Sequence, residues 1–362
     1  MADIASLIAQ ARADGTLINL ARNVLAQFGR PQRRYLGAEL LPERTVEENQ
    51  YTEDAIRYRT VVANGGTRYS PAQKKGGDLI GTFDVKLAHS DIARELTGRD
   101  YDILLRYLGR NASMEAIAAL TNWAETTLNL ALIEVNEAWR WQAIVDAAVV
   151  VEGDNAFKET VQLANPAGHR VNVAGDWAND TYDPFQDIYA MVNLLQGKGY
   201  TVGRIITGTP VITKLSLNKN VRQRTSHFVT TNGNALELAA GLGNLAGINA
   251  ALQLDSLPPI ERYDLRYRTQ QGDVRFLHAQ AFVMVALTGQ NEELDLPDGE
   301  QNLITDTLGY TAIGRAAGQS EPGRVIRTEH FENKPPRIEG EAWQTSFPVI
   351  TEPEAIGVLK NI

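Results

Sequence analysis

The side chains able to do chemistry are scattered along this chain rather than gathered. Its five histidines, His89, His169, His227, His278 and His330, are far apart, and no two sit at the helical spacing of a ligand pair. Two imidazoles one helical turn apart could share a cation; without that spacing, these read as ordinary surface or core histidines. There is no cysteine, which removes disulfides, thiolate metal sites and cysteine nucleophiles together. The carboxylate pairs Glu47-Glu48 and Glu292-Glu293 lie in polar stretches and read as solvated charge. Gly241-Leu242-Gly243-Asn244-Leu245-Ala246-Gly247 superficially matches a dinucleotide loop, but its spacing departs from G-x-G-x-x-G by one residue and the segment before it reads as helix. A helix end or tight turn is expected there. Tyr263, Tyr267 and Phe276, with Arg262, Arg266, Arg268 and Arg275, are residue types that could stack on single-stranded bases. The same alternation marks an exposed strand, which is the expected reading. No G-x-x-x-x-G-K-[ST], G-x-S-x-G or H-E-x-x-H motif occurs. Neither an enzyme activity nor a metal or cofactor is expected.

The elements that carry these residues belong to a folded chain of more than one module. With 362 residues, two or three intertwined modules are expected, and 43% hydrophobic with 22% charged residues is ordinary for a folded soluble protein. No apolar run approaches the roughly 18 residues of a membrane-spanning helix. Met1-Ala2-Asp3-Ile4 lacks the basic region of a signal peptide, so the reading is a protein made and kept in a cytoplasm. The net charge of −9 is uneven: residues 1–110 hold 16 Lys+Arg and 14 Asp+Glu, the remainder 19 and 30. An acidic body argues against a general nucleic-acid binder, since phosphate neutralisation needs clustered positive charge. A basic arm beside an acidic body could steer one copy onto its neighbour; a solvated surface with chance asymmetry accounts for it equally.

Residues 2–29 read as one or two short amphipathic helices, and 31–50 as an irregular arm crossing a surface. Tyr51–Ile92 reads as a long two-armed hairpin, with Ile56, Tyr58, Thr60 and Val62 alternating on one arm and Leu79, Phe83, Val85 and Leu87 on the other. Its tip, Asn64 to Gly77, is glycine-rich and basic. An isolated ribbon is marginal in water, so its apolar face is covered by another part of the chain or by another molecule. A short helix is expected over Asp100–Leu108. From Ser113 to about Ala148 apolar residues recur at steps of three and four, including Ile117, Leu120, Leu128, Val135, Val145 and Val149. A helix of that length runs roughly 50 Å, and it is expected to lie on a sheet rather than in a coiled coil, because Thr121, Asn122, Asn129 and Gln142 interrupt the heptad. Phe157–Leu163 and His169–Val173 flank a turn at Asn165-Pro166-Ala167-Gly168, as a hairpin. Asp183 and Pro184 open a helix to Gly197. Val202–Thr207 reads as a strand and Thr209–Ser216 as a helix, with further strands at Gly323–Phe331 and Glu339–Ile350.

That order of parts, an arm, a glycine-tipped hairpin, one long helix, a hairpin and a compact α/β body, resembles the plan of phage capsid proteins of the HK97-like fold. The local match is similar to the phage lambda major capsid protein family. Gly65-Gly66-Thr67 with Ser70-Pro71 resembles the E-loop tip of that family. Trp177, Thr181-Tyr182-Asp183-Pro184 and Asp187-Ile188 resemble the start of its A-domain, and Trp343, Phe347-Pro348-Val349 and Pro353-Glu354 its ending. The shared order of these anchors spans the chain from about Glu39 onward. Residues 226–249 have no clear counterpart, and the N-terminal helical segment is too short to be a fused scaffolding domain.

The resemblance implies an α+β fold divided into an N-terminal arm (1–50), an E-loop (51–92), a P-domain with its spine helix (93–178, helix about 113–148), an A-domain (179–322), returning P-domain strands (323–345) and a C-terminal A-domain segment (346–362). It implies hexamers and pentamers in an icosahedral virion shell around double-stranded DNA, assembled in the host cytoplasm with scaffolding, portal and decoration proteins. DNA would be enclosed without sequence-specific binding. Gly65, Gly66, Arg68, Tyr69, Pro71, Lys74 and Lys75 would lie across an adjacent subunit, and Asn333, Lys334, Pro335, Pro336 and Arg337 would form the P-domain loop at a threefold contact. Some members of the fold cross-link a lysine of the E-loop to an asparagine of this loop. Lys74 or Lys75 and Asn333 are of the right type, although lambda-like shells are reinforced by a decoration protein instead. The alternative within the fold is an encapsulin-like compartment shell; outside it stand a hydrolase with an unrecognised site and a nucleic-acid-binding module.

Overall fold

Leu36 and Leu40 are one helical turn apart, and burying both turns the chain inward from its start in the structure. The computed structural model describes residues 34–57, 78–109, 113–152, 158–225, 228–231, 235–238, 244–269, 272–286, 308–332 and 336–362; the expected helices at 2–29 lie outside these. In helix α1 (Leu36–Leu40) the two leucines are 3% and 0% exposed, and Leu41 beside them is 0% exposed. The arm therefore does not simply cross a surface: residues 35–41 enter the main core, because the leucine pair gives even a five-residue helix an apolar face. Strand β1 (Glu43–Thr45) follows. β2 (Gln50–Arg57) and β3 (Asp78–Lys86) form the expected antiparallel ribbon, running from Gln50 opposite Lys86 to Arg57 opposite Asp78 with a register shift between Ala55 and Ile56. The ribbon ends sooner than expected. After buried Leu87 the chain starts β4 (Ala88–Leu96), which leaves to pair elsewhere, so residues 88–92 are not hairpin.

Helix α2 (Arg99–Gly109) precedes the long helix, which runs as α3 (Ser113–Ala124), one π-helical turn (Glu125–Asn129) and α4 (Leu130–Asp146). A π turn widens the helix by one residue and frees carbonyls from their usual i+4 partners. Two threonine hydroxyls take these up: Thr126 donates to the Asn122 carbonyl and Thr127 to that of Trp123, each at 2.7 Å. The helix stops at Ala147, which is left-handed at φ 50°. Its last carbonyls are held by Arg170, whose guanidinium lies 3.0 Å and 3.1 Å from Ile144 O and 3.3 Å from Ala143 O, a cation where the helix dipole is negative. Burial lowers the Arg170 pKa to about 10. Val149, expected on the helix, is instead in β5 (Ala148–Glu152).

β6 (Lys158–Gln162) pairs back onto β5, and β7 (Arg170–Asn172) does not pair with β6. The turn at 165–168 is real, with Gly168 at φ 81°, but it redirects the chain to another sheet rather than closing a hairpin. α5 (Pro184–Gly197) begins as expected: Asp183 Oδ1 accepts the Phe185 N–H at 3.1 Å, and Ile188, Met191, Val192 and Leu195 are buried. There follow β8 (Val202–Thr207), α6 (Thr209–Leu217), α7 (Lys219–Thr225), β9 (Phe228–Thr231) and β10 (Ala235–Leu238). β10 is a strand paired with β9, correcting the helix expected before the glycine run. Then come α8 (Leu245–Leu254), β11 (Ile260–Arg262), β12 (Arg266–Thr269), β13 (Gly272–Arg275) and β14 (Phe282–Ala286). The chain ends with β15 (Gly309–Ile313), β16 (Val325–Phe331), β17 (Arg337–Ile350) and β18 (Ile356–Lys360).

Two five-stranded sheets organise these parts into an α+β fold. Sheet I has the order β1-β15-β17-β16, with β4 also paired to β17; sheet II has the order β11-β8-β14-β18-β7. All five residues of β14 are buried at the centre of sheet II, as in a strand covered on both faces. The long helix lies on sheet I, as its apolar spacing predicted. Ala124, Leu128 and Leu132 pack with Ile326 and Ala342, and one continuous core joins Trp141 and Ile144 to sheet II. The close approach depends on Gly340, where a Cβ would lie 2.6 Å from the Trp123 ring and 2.7 Å from Leu128. A Gly340→Val substitution is expected to destabilise the subunit by about 1–3 kcal/mol through overpacking. Denaturant unfolding checks this.

Candidate assembly surfaces

The β2–β3 ribbon pairs with no other strand among the described residues, and its contacts with sheet I lie at its root. There Asn49 imitates a strand: its Nδ2 donates to Arg315 O at 3.0 Å, and its Oδ1 accepts the Arg315 N–H at 2.8 Å. The Leu87 N–H bonds back to Asn49 O at 3.0 Å. Gly314 has no room for a side chain, since a Cβ would lie 2.2 Å from Asn49 Oδ1 and 2.5 Å from Leu87 Cδ1. The hydroxyls of Tyr51 and Tyr310 are 2.8 Å apart, and the Arg44 guanidinium sits 4.9 Å above the Tyr310 ring. Val85 and Leu87 are buried in the main core. One end of the ribbon is thus clamped to sheet I. Gly65, Gly66, Arg68, Tyr69, Pro71, Lys74 and Lys75 lie outside the described residues, as do Asn333, Lys334 and Pro335.

At the other end of sheet I, Pro336 is exposed beside the β16–β17 connection. Arg337 is half-buried, with Nε 2.6 Å from Glu339 and 3.8 Å from Glu95, and its guanidinium 5.0 Å from the Phe331 ring centre. Nearby, the Tyr101 hydroxyl and His330 Nε2 are 2.9 Å apart. His169 is fully buried, its Nδ1 2.9 Å from Ile356 O. Among the described residues, the structure does not bring the histidines together.

Between these ends, Glu43 of β1 ties the arm to the long helix and sheet I. Its carboxylate pairs with the Arg324 guanidinium, lies 3.2 Å from Arg140 NH2 and accepts from Asn136 at 3.5 Å. Arg324 donates to Gln344 Oε1 at 2.8 Å, and Gln344 donates to Asn136 Oδ1 at 2.9 Å, which also accepts from Ser346 at 2.7 Å. Arg140 Nε donates to Thr311 Oγ1 at 2.7 Å, and that hydroxyl donates to Leu41 O at 2.9 Å. Sequence reasoning missed this polar line. The available signal was a charged pair, Glu137 and Arg140, at i,i+3 among Ala138, Trp139 and Trp141, where two charges share a helix segment rich in buried residues.

The aromatic residues at 263–276 also resolve. Tyr263 and Phe276 are 3% and 6% exposed, and Tyr267 stacks on Phe276 at 4.9 Å. The rings point into the core, so they are not a platform for bases; β12 and β13 do form the expected strand pair, with Arg266 and Arg268 exposed.

Residues 26–292 match the family model described as phage major capsid protein E. The chain belongs to this family. It is a phage major capsid protein, and the family implies a structural, non-enzymatic shell subunit of a virion that works as an oligomer. No curated protein matches the sequence. Among solved structures, the fold is similar to that of a prophage capsid protein of Escherichia coli CFT073, described as putative, with a TM-score of 0.57 at 13% identity, covering 97% of this chain and 98% of that one. A phage-related protein from Bordetella bronchiseptica RB50 gives a TM-score of 0.49 at 14% identity, covering 96% and 97%. The satellite phage P4 procapsid gives 0.46 at 11%, covering 96% and 99%. Among the described residues, no helix is long and apolar enough to cross a membrane.

In this capsid subunit the Glu43 cluster carries a pH dependence. Burial pushes the Glu43 pKa up, but the Arg324 and Arg140 guanidinium groups outweigh it and the net shift is downward. A carboxylate with a depressed folded pKa adds stability above its unfolded pKa, and loses it as pH falls through the folded value. Glu43→Gln is therefore expected to lower stability at neutral pH and to flatten its decline on acidification below the usual carboxylate pKa of 4.5. Denaturation midpoints from pH 7 to pH 3 for both proteins check this.

Proposed function

We propose that this capsid protein assembles as hexamers and pentamers into an icosahedral, HK97-like shell of the lambda kind, enclosing double-stranded DNA without reading its sequence. The observation that carries this reading is the β2–β3 ribbon, clamped at Asn49 and Gly314 yet paired with no other strand among the described residues. A ribbon of that kind is stable when a neighbouring surface covers it. In this reading residues 1–50 are the arm, 51–87 the E-loop, the expected 88–92 having gone to β4 of sheet I, 88–178 the P-domain with its spine helix, 179–322 the A-domain, 323–345 the returning P-domain strands and 346–362 the last A-domain segment. Gly65, Gly66, Arg68, Tyr69, Pro71, Lys74 and Lys75 reach across an adjacent subunit. Asn333 to Arg337 meet their symmetry mates around a threefold axis, a role consistent with exposed Pro336 at that end of sheet I. A separate scaffolding protein, a portal and a decoration protein complete the particle, which assembles in the host cytoplasm.

Electron microscopy of the purified protein, alone and with its neighbouring genes, tests the assembly. Closed shells are expected; small discrete oligomers under every condition would count against the reading. Deleting residues 65–77 is expected to leave a folded soluble subunit and to abolish closed shells. Loss of the folded subunit would instead place the ribbon tip within the monomer's own core. Because reinforcement is assigned to a decoration protein, assembled particles are expected to run as monomers on denaturing electrophoresis. A ladder of multimers would reveal a covalent bond of the Lys74 or Lys75 to Asn333 kind.

A further inference from the structure

One buried carboxylate is shared by three separate parts of the subunit. Glu137 of α4 is fully buried, and a single oxygen, Oε1, accepts three hydrogen bonds. These come from the Gly37 N–H of α1 at 2.8 Å, the Trp141 Nε1–H of the long helix at 2.8 Å and the Tyr263 hydroxyl beside β11 of sheet II at 2.6 Å. Oε2 takes the Arg140 guanidinium at 3.4 Å. Gly37 fits because it lacks a side chain: a Cβ there would lie 2.8 Å from both carboxylate oxygens. Tyr35 meets Phe276 edge-on at 5.9 Å, and Trp141 lies 5.1 Å from Tyr263, so aromatic packing follows the same three-way junction.

A second set of contacts repeats the connection at the surface. Arg34 holds Glu39 through two bonds of 2.6 Å and 3.0 Å, Arg204 of β8 reaches the same carboxylate at 3.0 Å, and Arg204 holds Glu261 of β11 at 2.6 Å and 2.7 Å. Segment 34–41 is therefore bonded to sheet II on its outer side and to the long helix on its inner side. In a water-excluded site, donors to one carboxylate are not independent: removing one leaves its charge under-compensated and alters its hold on the others.

We propose that Glu137 is a positioning residue that couples the arm to sheet II, so that displacing residues 34–41 loosens the Tyr263 region and frees sheet II relative to the long helix. The coupling makes the arm root an input: force or binding on the chain before Arg34 is felt some two hundred residues later. Its consequence for particles rests on the shell reading above, because a subunit with a loosened junction would accept more than one curvature. The coupling itself is a property of the single subunit.

Hydrogen exchange of the full-length subunit, followed by mass spectrometry, tests it with Tyr263→Phe, Gly37→Ala and the double variant. Tyr263→Phe is expected to speed exchange of the 36–41 amides at least tenfold, and Gly37→Ala to do the same for amides 260–265. The double variant should exchange no more than about threefold faster than the faster single variant. If each variant loosens only its own segment, or if the two effects multiply fully, the proposal is overturned. Should either buried substitution prevent folding, Trp141→Phe, which removes the third donor to the same Glu137 oxygen, gives the same decision: faster exchange at both 36–41 and 260–265 supports the coupling, and a change confined to the long helix refutes it. Particle diameters by electron microscopy then separate the two readings. Wild-type shells beside a broadened distribution for Tyr263→Phe support both, whereas a failure of the wild type to form shells sinks the shell reading and leaves the exchange result standing.

Discussion

A carboxylate and a guanidinium without access to water, Glu137 and Arg140, sit one turn apart on the long helix, and the subunit is arranged around satisfying them. Taking such ions out of water costs about several kcal/mol each, and their mutual attraction offsets this only when further hydrogen bonds complete both groups. Here the completing groups come from elsewhere. Gly37 and Glu43 belong to the arm, Tyr263 to the border of sheet II and Thr311 to sheet I. The pair therefore forces parts far apart in sequence to converge, and any packing that misplaced one of them would leave a buried charge without its partner. Burial and the adjacent Glu137 carboxylate both raise the Tyr263 pKa, which keeps the phenol protonated and donating.

Polar pinning and apolar packing divide the work along the long helix. Its N-terminal half meets sheet I through Trp123, Leu128 and the bare backbone of Gly340. The C-terminal half carries Asn136, Glu137 and Arg140 into the polar line and ends against Arg170, which brings the first strand of sheet II to the helix terminus. The π turn sits between these halves. With one more residue than a regular turn, it sets the rotation of the charged half relative to the apolar half. The helix is thereby a rigid member with two differently bonded ends, and the ribbon clamped at Asn49 projects from the sheet it supports.

Much of this was legible in sequence. The long helix followed from its three- and four-residue spacing, α5 from Asp183 and Pro184, β8, β16 and β17 from strand-like runs, and the ribbon from alternation on either side of a glycine-rich tip. The order of these parts also resembled that of capsid proteins. What escaped was of another kind. The arm's burial, the transfer of residues 88–92 to sheet I and the separation of β6 from β7 depend on which distant strand offers an edge. Val149 kept the helical spacing and still became strand, because Ala147 turns left-handed and Arg170 closes the helix before it.

By itself, then, the sequence determined most of the helices and strands, though not β10 or the helix end at Ala147, and it marked a ribbon that pairs with no other strand among the described residues. Those properties come from local spacing and from caps, which act over a few residues. Only the tertiary structure decided that Glu137 would answer to Gly37 and Tyr263, Glu43 to Arg324, and Asn49 to Arg315. Nothing in one-dimensional order distinguishes a glutamate bound for water from one bound for the core. The difference lies in whether donors from a hundred or more residues away converge on it, and convergence is settled by packing.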